Sequence, residues 1–303
     1  MGKRIPLNSG NKVKLSNDTY IITRLISKGG TSLIYEAERL YCDSSNGSDY
    51  VCFNKKVLLK ELAPFNLDFV RVSDGQMIFD KRDIEDVRRL FENEINSLAY
   101  IQSNNDGNNR IPDMDAFGEY NNTMYIAMNH IKGELLSDFI SEKKHNNHEI
   151  LNIFLQMLDI VEFLHGIDEK YCHLDLKPTN FLIDSINTVF LFDFGSSLIE
   201  KDKWVRNYTE DYSAPEVIYN MMDSVDQRAD IYSLGAILYE LVSGEQASLE
   251  KFLLCGDNYC VNKEVDLIDY NSFLKKMLTE DVSARYNSVS EIKRELDALI
   301  SLK

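Results

Sequence analysis

Alternating hydrophobic and polar residues dominate the first part of the chain. Three short runs rich in β-branched and aromatic residues, at residues 20–26, 33–37 and 57–61, are typical of β-strands. The polar stretch at residues 41–49 predicts a hairpin loop. Between residues 84 and 101, apolar side chains recur every three or four positions, as in an amphipathic helix. The first part therefore predicts a small antiparallel sheet with one main helix.

Helical periodicity takes over in the second part of the chain. Residues 150–165, 230–242 and 289–301 carry apolar side chains at helical spacing. Two short apolar runs, residues 181–183 and 189–192, lie between the helical stretches and are typical of strands. The pattern predicts an α+β protein whose second part is mainly helical.

Composition limits the class of protein. With 303 residues, 44% of them hydrophobic, the chain can fill two small cores. The 49 acidic residues outnumber the 33 basic ones, and the net charge of -16 repels the phosphate backbone of nucleic acid. We therefore expect no nucleic-acid partner. An acidic surplus most often marks a solvated surface, and only secondarily indicates basic substrates.

The five cysteines are scattered and include no Cys-x-x-Cys pair, which argues against a zinc site or a redox centre. A cytoplasmic location fits this cysteine usage best. No stretch approaches the roughly 20 uninterrupted apolar residues of a membrane span, so we expect a soluble protein. Cys172 is expected to be a buried small residue rather than a reactive thiol.

Three oxygen-bearing side chains have a spacing that suits phosphoryl transfer. Asn180 follows Asp175 by five residues, and Asp193 comes thirteen residues later, after the two short apolar runs. If these runs pair as a hairpin, the three side chains meet at one place. Phosphoryl transfer requires metal ligands, a cation on the phosphates and a carboxylate that orients the attacking hydroxyl. These residues can supply the carboxylate and the metal ligands.

The order of the motifs resembles that of the eukaryotic-type, or Hanks-type, Ser/Thr protein kinase family, over about residues 18–301. The motifs are His173-Leu174-Asp175-Leu176-Lys177-Pro178-Thr179-Asn180, Asp193-Phe194-Gly195 and Ala214-Pro215-Glu216. The resemblance implies a bilobal protein-kinase-like fold. Residues 1–17 are then an N-terminal extension, about 18–128 the sheet-containing lobe, about 129–133 a hinge and about 134–303 the helical lobe.

The resemblance also implies roles for matching residues of the catalytic loop. Asp175 corresponds to the catalytic base, and Lys177 to a lysine that steadies the transferred phosphate and favours Ser/Thr acceptors. Asn180 and Asp193 correspond to the ligands of Mg²⁺, with Mn²⁺ as an alternative ion. The implied cofactors are therefore ATP and Mg²⁺.

The ATP site is implied by residues that mostly lie nearer the N-terminus. Lys60 corresponds to the lysine that contacts the α and β phosphates, and Glu94 to its ion-pair partner. The other expected contacts are a glycine loop, apolar residues around the base, a gatekeeper and two hinge residues that offer backbone groups to adenine. They are Ser27, Lys28, Gly29 and Gly30 in the loop, Ile26, Ile34 and Leu182 around the base, Met128 as gatekeeper, and Asn129 and Ile131 in the hinge.

Further positions match the family around the catalytic loop. Thr209 is expected beside Asp175, and residues 229–235 resemble the helix that braces the loop. Arg285 corresponds to the arginine that pairs with the glutamate of Ala-Pro-Glu, here Glu216.

One departure from the family pattern concerns regulation. Leu174 replaces the arginine that in many members pairs with a phosphorylated activation segment, and an aliphatic side chain cannot make that charge-assisted contact. We expect an enzyme that is either constitutively competent or gated by a partner.

Two alternatives to a protein kinase acting on a protein substrate stay open. A pseudokinase would bind nucleotide or nothing and act as an interaction module, but the presence together of Lys60, Asp175, Asn180 and Asp193 favours catalysis. A small-molecule phosphotransferase is disfavoured by the segment that ends in Ala-Pro-Glu, because such enzymes generally lack it.

Overall fold

The computed structural model describes residues 4–42, 52–65, 69–72, 75–79, 84–105, 107–142, 145–198, 204, 206–255 and 270–301. The chain divides into two compact units, Met1–Ser103 with Pro112–Ile131, and Asn104–Ile111 with Lys132–Lys303. The division after Ile131 falls inside the hinge expected at about residues 129–133. Most of the loop predicted at residues 41–49 lies outside the described residues.

An antiparallel sheet forms the main part of the first unit. Its strands are β1 Lys12–Leu15, β2 Asp18–Lys28, β3 Ser32–Cys42, β4 Cys52–Leu62, β7 Met114–Tyr120 and β8 Thr123–Asn129, with β5 Phe69–Arg71 and β6 Met77–Phe79 forming a separate hairpin. The order in the main sheet is β1-β2-β3-β4-β8-β7. One helix, α1 Glu85–Ser103, completes the described elements of this unit. The three predicted strands and the predicted helix are confirmed.

The structure includes β1 in this sheet, whereas the sequence predicts an extension at residues 1–17. Val13 and Leu15 are buried and alternate with lysines, so this short segment has the two-faced pattern of a strand. Leu7 is buried in the same core. The sheet therefore begins before residue 18.

Side chains along β4 alternate between the two faces of the sheet. Val57 and Leu59 lie in the core, and the period of two places Glu61 on their face and Leu58 and Lys60 on the opposite one. The core face is shared by apolar residues from the other strands and from the N-terminal segment. They include Leu7, Val13, Leu15, Tyr20, Ile22, Leu33, Tyr35, Ala37, Met77, Tyr125 and Ala127.

The second unit is mainly helical. Its helices are α2 Leu136–Ser141, α3 Asn147–Ile167, α4 Pro215–Ile218, α5 Arg228–Ser243, α6 Leu249–Cys255, α7 Tyr270–Met277 and α8 Val289–Ser301. Strands β9 Glu134–Leu135, β10 Phe181–Ile183 and β11 Val189–Leu191 form a small antiparallel sheet in the order β11-β10-β9. The three helices predicted from periodicity and the hairpin predicted between residues 181 and 192 are confirmed.

Helix α3 is long and apolar enough, by length and composition alone, to cross a membrane. Most of its apolar residues are buried inside the second unit, where the helix contacts α5, α8 and β11. Asn146 and Glu149 form a capping box at its N-terminus, with two hydrogen bonds of 3.0 Å. These features are typical of a core helix.

Helix α5 is the most deeply buried element of the second unit. Its residues from Ala229 to Val242 are all buried, so even its polar side chains lie inside the unit. Buried polar groups need partners, and Asp230 in the first turn of α5 finds them in the catalytic loop described below.

Candidate active site

Lys60 and Glu94 form the ion pair predicted from the sequence. The Lys60 ammonium lies 2.7 and 2.6 Å from the two carboxylate oxygens of Glu94, and both side chains are buried. Lys60 projects from β4 near its C-terminal end and Glu94 from the buried face of α1. The pair therefore fixes this helix against the face of the sheet opposite the apolar core.

Several predicted nucleotide contacts lie on that same face. Ile34 is directly opposite Lys60 in the β3–β4 ladder, and Leu58 is opposite Met128 in the β4–β8 ladder. Residues directly opposite each other project from the same side of a sheet. The geometry thus brings Ile34, Leu58, Lys60 and Met128 together, as expected for one wall of a nucleotide site.

The glycine loop follows directly on β2. Ser27 and Lys28 are the last residues of the strand, Gly29 and Gly30 follow, and Ile26 occupies a register shift between Leu25 and Ser27. Ile26 is 39% exposed, and the four loop residues are exposed as well. These residues are accessible for binding.

The predicted hinge residues Asn129 and Ile131 are half-buried. Asn129 already makes hydrogen bonds within the first unit. The N–H of Asn129 donates to the carbonyl of Asp113 at 3.0 Å, and its side chain contacts Lys55 and Asp113. The backbone N–H of Asn129 is therefore already paired within the first unit. Ile131 is the last residue of the first unit.

Asp175 is the centre of a small hydrogen-bond network in the second unit. Its Oδ1 accepts a hydrogen bond of 2.7 Å from the Thr209 hydroxyl, and its Oδ2 accepts one of 2.7 Å from the Lys177 ammonium. Lys177 also donates to Thr209 Oγ1 at 2.9 Å. The Asp175 carboxylate is 5% exposed, so these contacts fix its orientation. The predicted position of Thr209 beside Asp175 is confirmed.

The β10–β11 hairpin brings the two predicted metal ligands together. The N–H of Phe192 donates to the carbonyl of Asn180 at 3.0 Å, which places Asp193, the next residue, beside Asn180. The Asn180 amide nitrogen donates to the carbonyl of Asp175 at 2.8 Å, so its Oδ1 is the atom available to a cation. Leu182 lies on the same hairpin, opposite Phe190.

Asp230 braces the backbone of the catalytic loop. Its carboxylate accepts hydrogen bonds of 2.8 Å from the N–H groups of both His173 and Leu174, and it lies 2.9 Å from His165 Nε2. Burial raises the pKa of Asp230, but the contact with His165 and the positive and dipolar groups around it lower that pKa overall. Burial lowers the pKa of His173, which favours its neutral form. Asp230 therefore acts as a buried carboxylate that holds the loop.

Two residues of the second unit's site, one in the catalytic loop and one after β11, have unusual backbone conformations. Leu174 has φ of 63° and Asp193 has φ of 69°, in the left-handed region that disfavours branched side chains. At Leu174 the contact with Asp230 holds this conformation, and the side chain is buried. Such strain is typical of functional sites.

A buried polar cluster next to Lys60 is not apparent from the sequence. Glu61 is fully buried, and its carboxylate accepts hydrogen bonds from the hydroxyls of Tyr35 and Tyr125 and from the Arg71 guanidinium. Burial, with the Glu61 charge adding to it, raises the pKa of both tyrosines. The cluster ties β3, β4, β8 and the β5–β6 hairpin together. A sequence signal exists only in the period-two pattern, which puts Glu61 on the core face.

The predicted site residues thus occur in two groups, one in each unit. The first unit brings together the residues assigned to the nucleotide, and the second unit brings together the catalytic and metal residues with Leu182. Among the residues that the structure describes, no three His, Cys, Asp or Glu side chains cluster as a metal site.

Comparison with known protein families identifies the class. Residues 77–296, well over half of the chain, match the family model described as protein kinase domain. The chain therefore belongs to the protein kinase family, and its similarity to relatives named serine/threonine-protein kinases confirms the resemblance to that group. The matched range includes Glu94 and the catalytic loop, whereas the glycine loop and Lys60 precede it.

Two curated relatives illustrate the similarity. A probable serine/threonine-protein kinase of Dictyostelium discoideum is 28% identical over 233 residues, covering 74% of this chain and 26% of the relative. An Aurora kinase of Candida glabrata is 25% identical over 286 residues, covering 90% of this chain and 69% of the relative. The chain thus spans about a quarter of the length of the Dictyostelium relative.

A solved structure supports the fold. The structure titled "PpkA-294 apo form" superposes with a TM-score of 0.75 at 17% sequence identity, covering 96% of this chain and 99% of that one. The predicted α+β protein-kinase-like fold is confirmed.

Proposed function

We propose that the protein is an ATP- and Mg²⁺-dependent Ser/Thr protein kinase. The observation that carries this proposal is the fixed Asp175 carboxylate, held by Thr209 and Lys177 in the same unit as Asn180 and Asp193. Phosphoryl transfer depends on positioning and charge stabilisation, and this network supplies both without a covalent intermediate on the protein.

Asp175 would act on the acceptor hydroxyl. Its carboxylate accepts the proton of a serine or threonine hydroxyl while the oxygen attacks the terminal phosphorus, and the bond from that phosphorus to the bridging oxygen breaks. Lys177 lies 2.7 Å from Asp175 and can stabilise negative charge on the transferred group. Lys60, oriented by Glu94, would bind the remaining phosphates.

The donor set suits magnesium. When bound, Mg²⁺ neutralises charge on the phosphates. Asp193 offers a carboxylate and Asn180 an amide oxygen, which are hard oxygen ligands. Asn180 lies just before β10 and Asp193 two residues after β11, at the open end of one hairpin. Magnesium sites in such enzymes use one or two protein ligands and complete the shell with phosphate and water oxygens. The lack of a three-residue cluster among the described residues is compatible with this kind of site.

The proposal includes no phosphorylation switch through Leu174, because this side chain is apolar and buried. It includes a cytoplasmic location, which the scattered cysteines and the buried thiol of Cys172 support.

The test is radiolabelled ATP with a generic protein acceptor, with and without Mg²⁺. Asp175→Asn should lower kcat by about a hundredfold or more, because the amide cannot act as a general base. Nucleotide should still bind, because asparagine has nearly the same size and shape as aspartate. Lys60→Ala should lose nucleotide affinity as well. Lys56→Ala, an exposed lysine of the same strand, is the matched control and should behave as wild type. Label should appear on serine and threonine.

The pseudokinase alternative predicts a different result. Wild-type protein would then transfer no more label than Asp175→Asn, whether or not it binds ATP. Transfer to a small molecule without transfer to protein would indicate a small-molecule phosphotransferase instead.

A further inference from the structure

The N-terminal segment of the described chain contacts the glycine loop through a single side chain. The Arg4 guanidinium donates to the carbonyl of Gly29 at 2.6 Å and to the carbonyl of Ser32 at 2.9 Å. These two carbonyls stand at the two ends of the turn that joins β2 to β3. One cation therefore holds both ends of the loop.

The carbonyls in the middle of the loop are held by the segment that follows β4. The N–H of Phe65 donates to the carbonyl of Gly30 at 2.8 Å, and the N–H of Ala63 donates to the carbonyl of Thr31 at 2.9 Å. Together with the Arg4 contacts, four successive carbonyls of the loop accept hydrogen bonds. The loop has a defined backbone conformation although it contains only two glycines.

The segment that carries Arg4 is itself anchored. The Arg71 guanidinium donates to the carbonyl of Ile5 at 2.8 Å, and the N–H of Leu7 donates to the Tyr35 hydroxyl at 3.1 Å. The Leu7 side chain is 4% exposed in the core. Arg4 thus extends from a fixed backbone, which reduces the entropy lost when its side chain is ordered.

Arg71 also connects this anchor to Glu61. The same guanidinium that binds Ile5 donates to the buried Glu61 carboxylate at 2.7 Å, and its third nitrogen donates to the carbonyl of Gly75 at 2.9 Å. Glu61 is the residue after Lys60. The β5–β6 hairpin, which carries Arg71, therefore supports the glycine loop through the N-terminal segment.

We propose that Arg4 is a positioning residue for nucleotide binding, which orients the backbone of the glycine loop by holding the carbonyls of Gly29 and Ser32. This inference rests on the proposed kinase function. Arg4 acts through the loop and need not touch the nucleotide.

The planar peptide bond explains how a contact on a carbonyl affects phosphate binding. In a trans peptide, the C=O of one residue and the N–H of the next point in opposite directions. Fixing the carbonyls of Gly29 and Gly30 therefore fixes the directions of the N–H groups of Gly30 and Thr31. Backbone N–H groups are the donors with which glycine-rich loops bind phosphates. Without the Arg4 contacts, the carbonyl of Gly29 would no longer be held. This part of the loop contains both glycines and therefore has the most backbone freedom.

The test compares Arg4→Ala and Arg4→Lys with the wild-type chain. We measure the Kd of a fluorescent ADP analogue, the hydrogen exchange of residues 28–33, and KM for ATP separately from kcat. Arg4→Ala should raise Kd and KM about tenfold, with kcat within about twofold, because charge-assisted contacts that hold the loop are lost. Exchange in the loop should become about tenfold faster. Arg4→Lys should recover part of the affinity, since its ammonium can reach one carbonyl.

The matched control is Arg24→Ala, which removes the same charge from the same unit. Arg24 pairs with Glu36, and its side chain is 62% exposed. Wild-type behaviour of Arg24→Ala together with the changes above supports the proposal. Wild-type Kd and loop exchange in Arg4→Ala, or an equal loss in Arg24→Ala, would overturn it.

The readouts separate this inference from the kinase function. If wild-type protein binds nucleotide but transfers no phosphate, the kinase proposal fails, and the Kd and exchange of the Arg4 variants still decide the role of Arg4. If wild-type protein binds no nucleotide, both proposals fail. If Arg4→Ala does not fold, Arg4→Lys gives the same comparison, and wild-type affinity and exchange in that variant would count against the proposal.

Discussion

The Arg285 guanidinium and the Glu216 carboxylate form a bidentate ion pair, with N···O distances of 2.6 and 2.8 Å, and both side chains are buried. Arg285 also donates to the carbonyl of Thr279 at 2.8 Å. The pair joins the first turn of α4 to a segment near the C-terminus of the second unit. Removing one member would leave a buried charge without its partner, which is far more costly than losing an exposed pair.

Replacing Arg285 with alanine should therefore lower the free energy of unfolding by about 3–5 kcal/mol. Chemical denaturation followed by fluorescence measures the change. The control is Arg89→Ala, which breaks the exposed pair with Glu85 and should cost less than about 1 kcal/mol. Equal losses in the two variants would contradict the structural role assigned to the buried pair.

Gly133 and Gly166 should respond to alanine in opposite directions. A methyl group at Gly133 would overlap the carbonyl oxygen of Ile183 and the side chain of Leu182, whereas one at Gly166, near the end of α3, would contact nothing within 4 Å. Gly133→Ala should lower the free energy of unfolding by at least about 2 kcal/mol, because backbone must move. Gly166→Ala should raise it by up to about 1 kcal/mol, because alanine favours the helix.

Thermal unfolding of both glycine variants beside wild type checks this contrast. A Gly133→Ala protein as stable as wild type would show that β10 does not lie against residue 133. Because Leu182 is a proposed nucleotide contact, the same variant should also bind ATP more weakly if β10 shifts.

Much of the catalytic arrangement follows from short-range sequence patterns. The β10–β11 hairpin could be predicted because two apolar runs flank a short polar turn, and pairing them necessarily brings Asn180 and Asp193 together. The apolar stretches of α3, α5 and α8 are long, so the existence of these helices could be predicted from the sequence.

The polar contacts that hold the first unit together, around Glu61 and Arg4, could not be predicted in this way. The period-two pattern of β4 puts Glu61 on the core face, but it does not identify Tyr125, which is 64 positions away, or Arg71 as the partners of its carboxylate. The Arg4 contact with Gly29 likewise spans 25 positions. Such contacts depend on the tertiary fold, and local propensity carries no signal for them.

The carboxyl of Glu240 should make stability depend on pH. It accepts hydrogen bonds of 2.8 Å from the Tyr212 hydroxyl and 2.6 Å from the N–H of Ala247. Burial raises its pKa, and the charge of Asp211 adds to this effect, against the two hydrogen bonds. An unfolded glutamate titrates near about 4.3, so between that pH and the raised pKa the folded state binds more protons. Stability due to this group is therefore present at low pH and is lost as pH rises through the folded pKa.

Glu240→Gln keeps an acceptor oxygen for Tyr212 and Ala247 but removes the titration. The stability of wild type relative to this variant should therefore fall as pH rises from about 4 towards neutrality. Urea denaturation across this range measures the difference. Glu250→Gln removes the same charge from an exposed position of α6 and controls for net charge. A constant difference between wild type and Glu240→Gln would contradict the raised pKa.

Leu174 predicts that activity does not depend on phosphorylation of the activation segment. The side chain is 1% exposed, and its backbone N–H is held by Asp230 at 2.8 Å. A phosphate on that segment gains no charge-assisted hydrogen bond from this position. Phosphatase-treated protein, with dephosphorylation verified by intact mass, should keep kcat within about twofold of untreated protein. Leu174→Arg should lower the stability of the protein, because it buries a charge at a position that is 1% exposed. We expect it not to make activity depend on phosphorylation. Loss of turnover after phosphatase treatment, reversed by rephosphorylation, would show that another residue binds the phosphate.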